Sequence, residues 1–331
     1  MTEPRYFFIT GTGRSGTTLL QAMLSQGKGV YVPPETHFMG LLWQHRRRLG
    51  PLQSDQGWAA ARSAIERRYA MAGIPFDPQR FDTLTEGAPR HLATLLAAWL
   101  RMAAEAATRT FDRPMPTLIG EKSPGHTPYA LELLAMMPGS SVVHIVRDPR
   151  DVAVSQREAW KASPLAVAIR WRIDQQHQET YEQIIHPSRF ATVRYEDLVR
   201  EPKPQLQRLC AVLGIEFDSA MLEPHKRADR GFADHETHKL RTLQPVTDSR
   251  IGRYRSALSA PAVAAIDWIC GRQMRRLGYQ PQPHLPGSGA LAAAAMAGPM
   301  ACRRLMSRTP AARIARQVGT SQTPAQPSDL E

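Results

Sequence analysis

Residues 11–18, GTGRSGTT, put three glycines, a guanidinium and four hydroxyls into one short turn directly after the apolar run FFIT. Gly11, four intervening residues, Gly16 and then Thr17 and Thr18 follow the spacing of a phosphate-cradling P-loop, with Thr17 standing where such a loop carries its lysine. Glycines let backbone N–H groups close on an anion, and a helix starting near Gly16 aims its first amides at the same point. Gly13, Arg14, Ser15, Gly16, Thr17 and Thr18 are therefore candidate anion ligands. Without the lysine, the loop still holds an anion but is poorly built to cleave a triphosphate.

A second constellation lies in VVHIVRDPRDVAVSQ, where Arg147 ends a buried-type strand, Asp148 is placed to cap a helix, and Pro149 takes its first position. Ser155, eight residues after Arg147, falls about two turns into that helix, so both side chains can reach one anionic group at the carboxyl edge of a sheet. Asp148 reads as a cap. Nothing beside it reads as a carboxylate held on a buried strand for magnesium, which counts against an ATPase.

The elements that must position these groups alternate. Strand-like runs at Tyr6–Thr10, Thr117–Gly120, Ser141–Val146 and Phe190–Val193 are each followed by helical pattern, with a short second strand after the first helix. The expectation is an α/β chain: a three-layer P-loop-like fold with a central parallel sheet of about five strands flanked by helices, plus a helical insertion over about 36–113 read as two or three helices. Residues 1–280 then form one domain. The Pro/Ala/Arg-rich stretch 281–331 reads as a flexible basic tail, or over 291–316 as a basic amphipathic helix that touches a membrane or a partner.

The 331 residues carry 42 Lys and Arg against 30 Asp and Glu, a net charge of +12 that implies an anionic partner. The excess is arginine, suited to forked contacts with phosphate or sulfate oxygens. Aromatics are not interleaved with the basic residues, so a nucleic-acid partner is not expected. Cys210, Cys270 and Cys302 form neither a disulfide framework nor a metal spacing, and the N-terminus lacks a signal-peptide pattern. A cytoplasmic location and no metal follow as expectations.

With both motifs in this order, the chain resembles the sulfotransferases that use 3'-phosphoadenosine 5'-phosphosulfate (PAPS). The resemblance covers Arg5 to Val32, Leu118 to Trp160 and, less sharply, Ala191 to Gly278. It implies that GTGRSGTTLL binds the 5'-phosphosulfate and that Arg147 with Ser155 binds the 3'-phosphate. Glu35, in VPPETHF, resembles the catalytic glutamate of tyrosylprotein and related bacterial sulfotransferases; cytosolic small-molecule enzymes use histidine, which keeps His37 and His126 as competing bases. Lys122, in IGEKSP, resembles the lysine that stabilises the transferring group, and Arg14 is a second cation for it. Tyr195 in VRYEDLV resembles a position near the nucleotide, and Glu196 and Asp197 are expected to cap the helix that follows. QPVTDSRIGRYR resembles the segment that closes over the donor, with Ser249, Arg250, Gly252 and Arg253 as its candidates, although the Arg-Lys-Gly sequence of the cytosolic enzymes is absent.

The function so implied is in-line transfer of a sulfuryl group from PAPS to a small-molecule, carbohydrate, lipid or peptide hydroxyl, with Glu35 as general base. Two other readings stand beside it: a P-loop kinase or NTPase with an atypical loop, and a non-catalytic anion-binding protein.

Overall fold

A computed structural model describes residues 3–44, 46–227 and 229–296. Five strands, β1 (Arg5–Thr10), β2 (Val30–Tyr31), β3 (Leu118–Lys122), β4 (Ser141–Val146) and β5 (Phe190–Arg194), pair in the order β2-β3-β1-β4-β5, every pairing parallel. Every residue of β4 is buried, as a strand covered on both faces requires. Within its apolar run VVHIV, His144 exchanges hydrogen bonds with Thr10 Oγ1 at 3.0 Å and Gln175 Oε1 at 3.1 Å. Burial lowers this imidazole to about 4 and keeps it neutral.

From β1 the chain turns to one side for β2 and β3 and later to the other for β4 and β5. The carboxyl end of β1 is thus the point where strand order reverses, the place where open α/β sheets form a ligand crevice.

Helix α1 (Thr17–Leu24) leaves that point. Between β2 and β3 the insertion folds into α2 (Arg46–Leu49), α3 (Asp55–Ala72), α4 (Pro78–Thr85) and α5 (Leu92–Thr110), so the one-turn α2 adds to the two or three helices expected. Their starts are written in the sequence: Ser54 accepts a hydrogen bond from Gly57 N, and Asp77 accepts one from Arg80 N just before Pro78 enters α4. These helices bury Phe38, Tyr69, Phe81 and Trp99 against Phe8 and Ile119 of the sheet.

After β3 come α6 (Ala130–Met136), α7 (Pro149–Trp160) and α8 (Pro164–Ile184); after β5 come α9 (Tyr195–Arg200), α10 (Pro202–Leu213), α11 (Tyr254–Ala257) and α12 (Ala260–Arg276). Phe7 and Ile9 point to the face opposite Phe8 and pack with Leu20 of α1 and Leu206 and Leu209 of α10. A third cluster joins Val152, Trp171 and Ile266 from α7, α8 and α12.

Past residue 281, Gln282 N donates to Asp267 Oδ2 at 2.9 Å, His284 Nε2 lies 2.9 Å from the same oxygen, and buried Ala293 joins the cluster beneath α12. Residues 297–331, with Cys302 and most of the 291–316 stretch, lie outside the described residues. Cys210 and Cys270 are buried free thiols. Among the described residues no helix is long and apolar enough to cross a membrane.

Candidate active site

The cradle depends on two glycines. Gly11, at φ 147°, leaves β1 so close to β4 that a Cβ would stand 2.3 Å from Ile145 O. Gly16, at φ 100°, caps α1 where a Cβ would meet the Tyr195 ring at 2.5 Å. No side chain caps α1 and no acidic residue sits in its first turn. Because Leu20 N closes on Gly16 O, the amides of Thr17, Thr18 and Leu19 are the helix's unpaired first donors, and all three residues line the cleft.

Arg14 holds a left-handed backbone at φ 73°, a conformation that costs a non-glycine residue energy and is retained only where its surroundings fix it. Its Nε donates to Ser155 Oγ at 3.3 Å and its Nη2 to His238 O at 3.0 Å. Thr12 Oγ1 donates to Asp174 of α8 at 2.9 Å, and Gln156 Nε2 to Gly13 O at 2.8 Å, which pins the loop from two helices. The Ser15 hydroxyl is fully buried and has no partner.

Arg147 leaves β4 as the sequence requires. Its Nη1 donates to Arg14 O at 3.3 Å and its Nη2 to Arg250 O at 2.6 Å, its guanidinium lies 4.5 Å from the Tyr195 ring centroid, and its buried Nε has no partner. Arg147 and Ser155 both line the cleft, whereas Arg157 turns away to Ala257 O at 2.6 Å. Asp148 caps α7 through Arg150 N at 2.9 Å and grips the Arg150 guanidinium at 2.9 and 2.7 Å. The expectation that Glu196 caps α9 is overturned: it is buried, accepts from Asp148 N at 3.0 Å and from Tyr279 OH at 2.7 Å, and so ties β4 to the region beyond α12. Asp197 faces Arg194 at 3.8 Å, and α9 has no side-chain cap.

Glu35 enters the same cleft from the turn after β2. Its Oε1 accepts from Lys122 Nζ at 2.5 Å and Lys239 Nζ at 2.7 Å, and its Oε2 lies 3.2 Å from His37 Nε2. Burial alone would raise this carboxyl, but the two ammoniums hold it far below the usual carboxylate range. Burial lowers Lys122 to about 8 against the pull of Glu35, and its Nζ also reaches Thr18 Oγ1 at 3.4 Å, so it spans Glu35 and the cradle.

The turn that carries Glu35 is itself clamped. Arg68 of α3 donates to Glu35 O at 2.7 Å, and buried Glu121 accepts from Thr36 Oγ1 at 2.7 Å and Ser123 Oγ at 2.6 Å. His126 is committed to this clamp: Met39 N donates to its Nε2 at 3.1 Å while its Nδ1 faces Glu121 at 2.7 Å, leaving no ring nitrogen for an acceptor. His37, half exposed and lowered by burial, lines the cleft beside Glu35.

Residues 236–253 form the facing wall. Of the four candidates there, Arg250 and Arg253 line the cleft. Ser249 is exposed and pairs with Thr247 at 2.9 Å, and Gly252 N donates to Asp151 Oδ2 at 2.7 Å, so both lie off the lining. The wall also brings groups that the sequence did not single out: Lys239, paired with both Glu35 and Glu236, and His238, edge-on to Trp160 at 5.8 Å. From α7 come Glu158 and half-exposed Trp160, the latter 5.9 Å from the Arg14 guanidinium. HETHKLRTL carries neither a glycine signature nor a regular period, and the resembling segment begins eight residues after Glu236. Sequence offered no signal for Lys239.

The result is an arginine-rich cleft of about 900 Å³ whose lining includes Arg14, Arg147, Arg250 and Arg253 with Glu35, Glu158 and Glu236. Among the described residues no group of three or more His, Cys, Asp or Glu is placed to hold a metal ion.

Known proteins resemble this chain in sequence and in fold. A model of the family described as "Sulfotransferase family" matches residues 4–219. An omega-hydroxy-beta-dihydromenaquinone-9 sulfotransferase of Mycobacterium bovis is 25% identical over 320 residues, covering 83% of this chain and 76% of that protein. The fold is similar to that of the sulfotransferase domain of the Synechococcus PCC 7002 olefin synthase, with TM-score 0.59, 23% identity and coverage of 86% of this chain and 98% of that one. It is also similar to the sulfotransferase domain of the curacin biosynthetic pathway, with TM-score 0.57, 20% identity and coverage of 84% and 99%.

Proposed function

The chain belongs to the sulfotransferase family, and from that premise we propose that it moves a sulfuryl group from PAPS to the hydroxyl of a small-molecule acceptor, with Glu35 as general base. What carries the reading is convergence: the uncapped start of α1, Arg147, Ser155 and Glu35 all open onto one cleft, with fully buried Lys122 bonded to Glu35 from behind the lining. The buried Nε of Arg147, a residue that lines the cleft, has no partner and is a polar group that an anion there would satisfy. The relative that acts on an omega-hydroxy-menaquinone derivative supports a hydroxyl on a small molecule as the acceptor.

In this reading the loop amides, Arg14 and Lys122 hold the 5'-phosphosulfate, and Arg147 with Ser155 holds the 3'-phosphate. The acceptor oxygen attacks sulfur in line, the bond from sulfur to the bridging phosphate oxygen breaks, and adenosine 3',5'-bisphosphate leaves. The acceptor's proton passes to Glu35, at Oε2, because Oε1 already carries both lysines. Two bound ammoniums make a weak base, so the lysines must turn toward the sulfuryl oxygens as negative charge grows there. The kinase alternative wants a carboxylate for magnesium beyond β4, and Asp148 is committed to its cap and to Arg150.

Incubating the protein with radiolabelled PAPS and small-molecule and lipid extracts tests this. The expected result is label transferred to a hydroxyl compound by wild type and not by Glu35→Gln. Equal transfer by the two proteins removes Glu35 as the base, and no transfer to any acceptor counts against the donor.

A further inference from the structure

Glu158 stands where a carboxylate should not help. The cleft is lined by cations suited to phosphate, yet the forked face of Arg253 is closed by Glu158, whose oxygens accept from Nη1 at 3.0 Å and Nη2 at 2.7 Å. Arg250 Nη1 lies 3.7 Å from the same carboxylate, and Arg250, Arg253, Ser155 and Glu158 all line the cleft. Glu158 follows Ser155 by three residues on α7, so the two side chains share a helix face. A phosphate held by Ser155 and Arg147 would therefore lie beside this negative charge.

A guanidinium offers one planar fork, and a carboxylate that takes both of its N–H groups leaves no equivalent fork for a phosphate. Two anions on one helix face also repel each other. Either the phosphate displaces Glu158 from Arg253, or Arg253 takes no part in holding it. The pair is exposed enough to exchange, since the Glu158 side chain is 46% and the Arg253 side chain 31% accessible to solvent.

We propose that Glu158 is an internal competitor for the 3'-phosphate, occupying the Arg253 fork in the donor-free enzyme and leaving it when a 3'-phosphorylated nucleotide binds. This rests on the donor assignment above and adds a consequence to it: Glu158 weakens donor and product alike, which limits retention of adenosine 3',5'-bisphosphate after transfer. The residue thus tunes affinity while the chemistry stays with Glu35 and Lys122.

The test is calorimetric titration of wild type, Glu158→Gln, Arg253→Gln and the double variant with adenosine 3',5'-bisphosphate and with 5'-AMP, which lacks only the 3'-phosphate. Glu158→Gln should bind the bisphosphate about fivefold more tightly at low salt, with 5'-AMP changed less than about twofold. The gain should disappear in the double variant. Bisphosphate affinity that is unchanged or weaker in Glu158→Gln overturns the competitor role, as does an equal gain for both nucleotides, which marks a general charge effect. Wild type that fails to bind the bisphosphate overturns the donor assignment itself, a separable outcome.

Discussion

The two walls of the cleft are built differently. On one side, the loop after β1 and Arg147 after β4 are carried by central strands of a parallel sheet, the loop is pinned by two helices, and Lys122, fully buried at the end of β3, holds Glu35 from behind. On the other, residues 236–253 run as a short 3₁₀ helix and turns, and their charged contacts reach across the cleft: Lys239 to Glu35, Arg14 to His238 O, Arg147 to Arg250 O, and Arg253 to Glu158. The sheet side is positioned by its core. The other side is positioned by the same ions that a donor would claim, so the sheet side should set whether chemistry occurs and the far wall should set affinity and tuning.

The sharpest test of this division is Glu35→Gln, which keeps the side chain's shape and removes the base. It should lower kcat by about 10²- to 10⁴-fold while binding of adenosine 3',5'-bisphosphate persists. A loss of nucleotide binding instead would make Glu35 a structural anchor.

Next comes the sheet side's own pH sensitivity. His144 titrates near 4 in the folded protein and near its ordinary 6.5 in the unfolded chain, so between those values the unfolded state binds more protons. Stability is then full above about pH 6.5 and falls as pH drops toward 4, by about 3 kcal/mol at most. Denaturant midpoints measured across this range should lose most of that slope in His144→Gln, and an unchanged slope would place the acid sensitivity elsewhere.

Arg147→Ala removes a charge-assisted phosphate contact and should weaken the bisphosphate by about 10- to 100-fold, read by calorimetry. On the far wall, Lys239→Gln takes one ammonium from Glu35, whose carboxyl should rise toward its ordinary value. The base is active only above that value, so the acid limb of the pH–rate profile should move to higher pH, with kcat down about tenfold through loss of one charge-assisted contact. A profile that does not move would mean that Lys239 leaves Glu35 before the proton is transferred. The smallest effect belongs to Ser249→Ala, within about twofold in rate and affinity, since surface substitutions away from a site are nearly neutral. A large loss there would show that the far wall rearranges to bring Ser249 inward.

The same division explains what the sequence could tell. GTGRSGTT, Arg147 with Ser155 and the Asp148 cap were legible because strand ends, caps and glycine turns impose local spacing, and the sheet places those ends together. The fold class and the parallel sheet followed from the same alternation. Glu35 and Lys122 were found through resemblance, and their contact depends on β2 and β3 lying side by side. Lys239 and Glu158 were not legible, because one sits on an irregular wall some 200 positions from its partner and the other looks like any exposed helix glutamate. The role expected of Glu196 failed for a related reason: first-turn acids usually serve the helix dipole, but here Tyr279, 83 positions away, turns it inward.

The most direct measurement is calorimetric titration of wild type and Arg147→Ala with adenosine 3',5'-bisphosphate and with 5'-AMP. If the cleft is a PAPS site, wild type binds the bisphosphate saturably, Arg147→Ala weakens it at least about tenfold, and 5'-AMP is much less affected by the substitution. Wild type that gives no binding heat with the bisphosphate, or two proteins that bind it equally, would contradict the account.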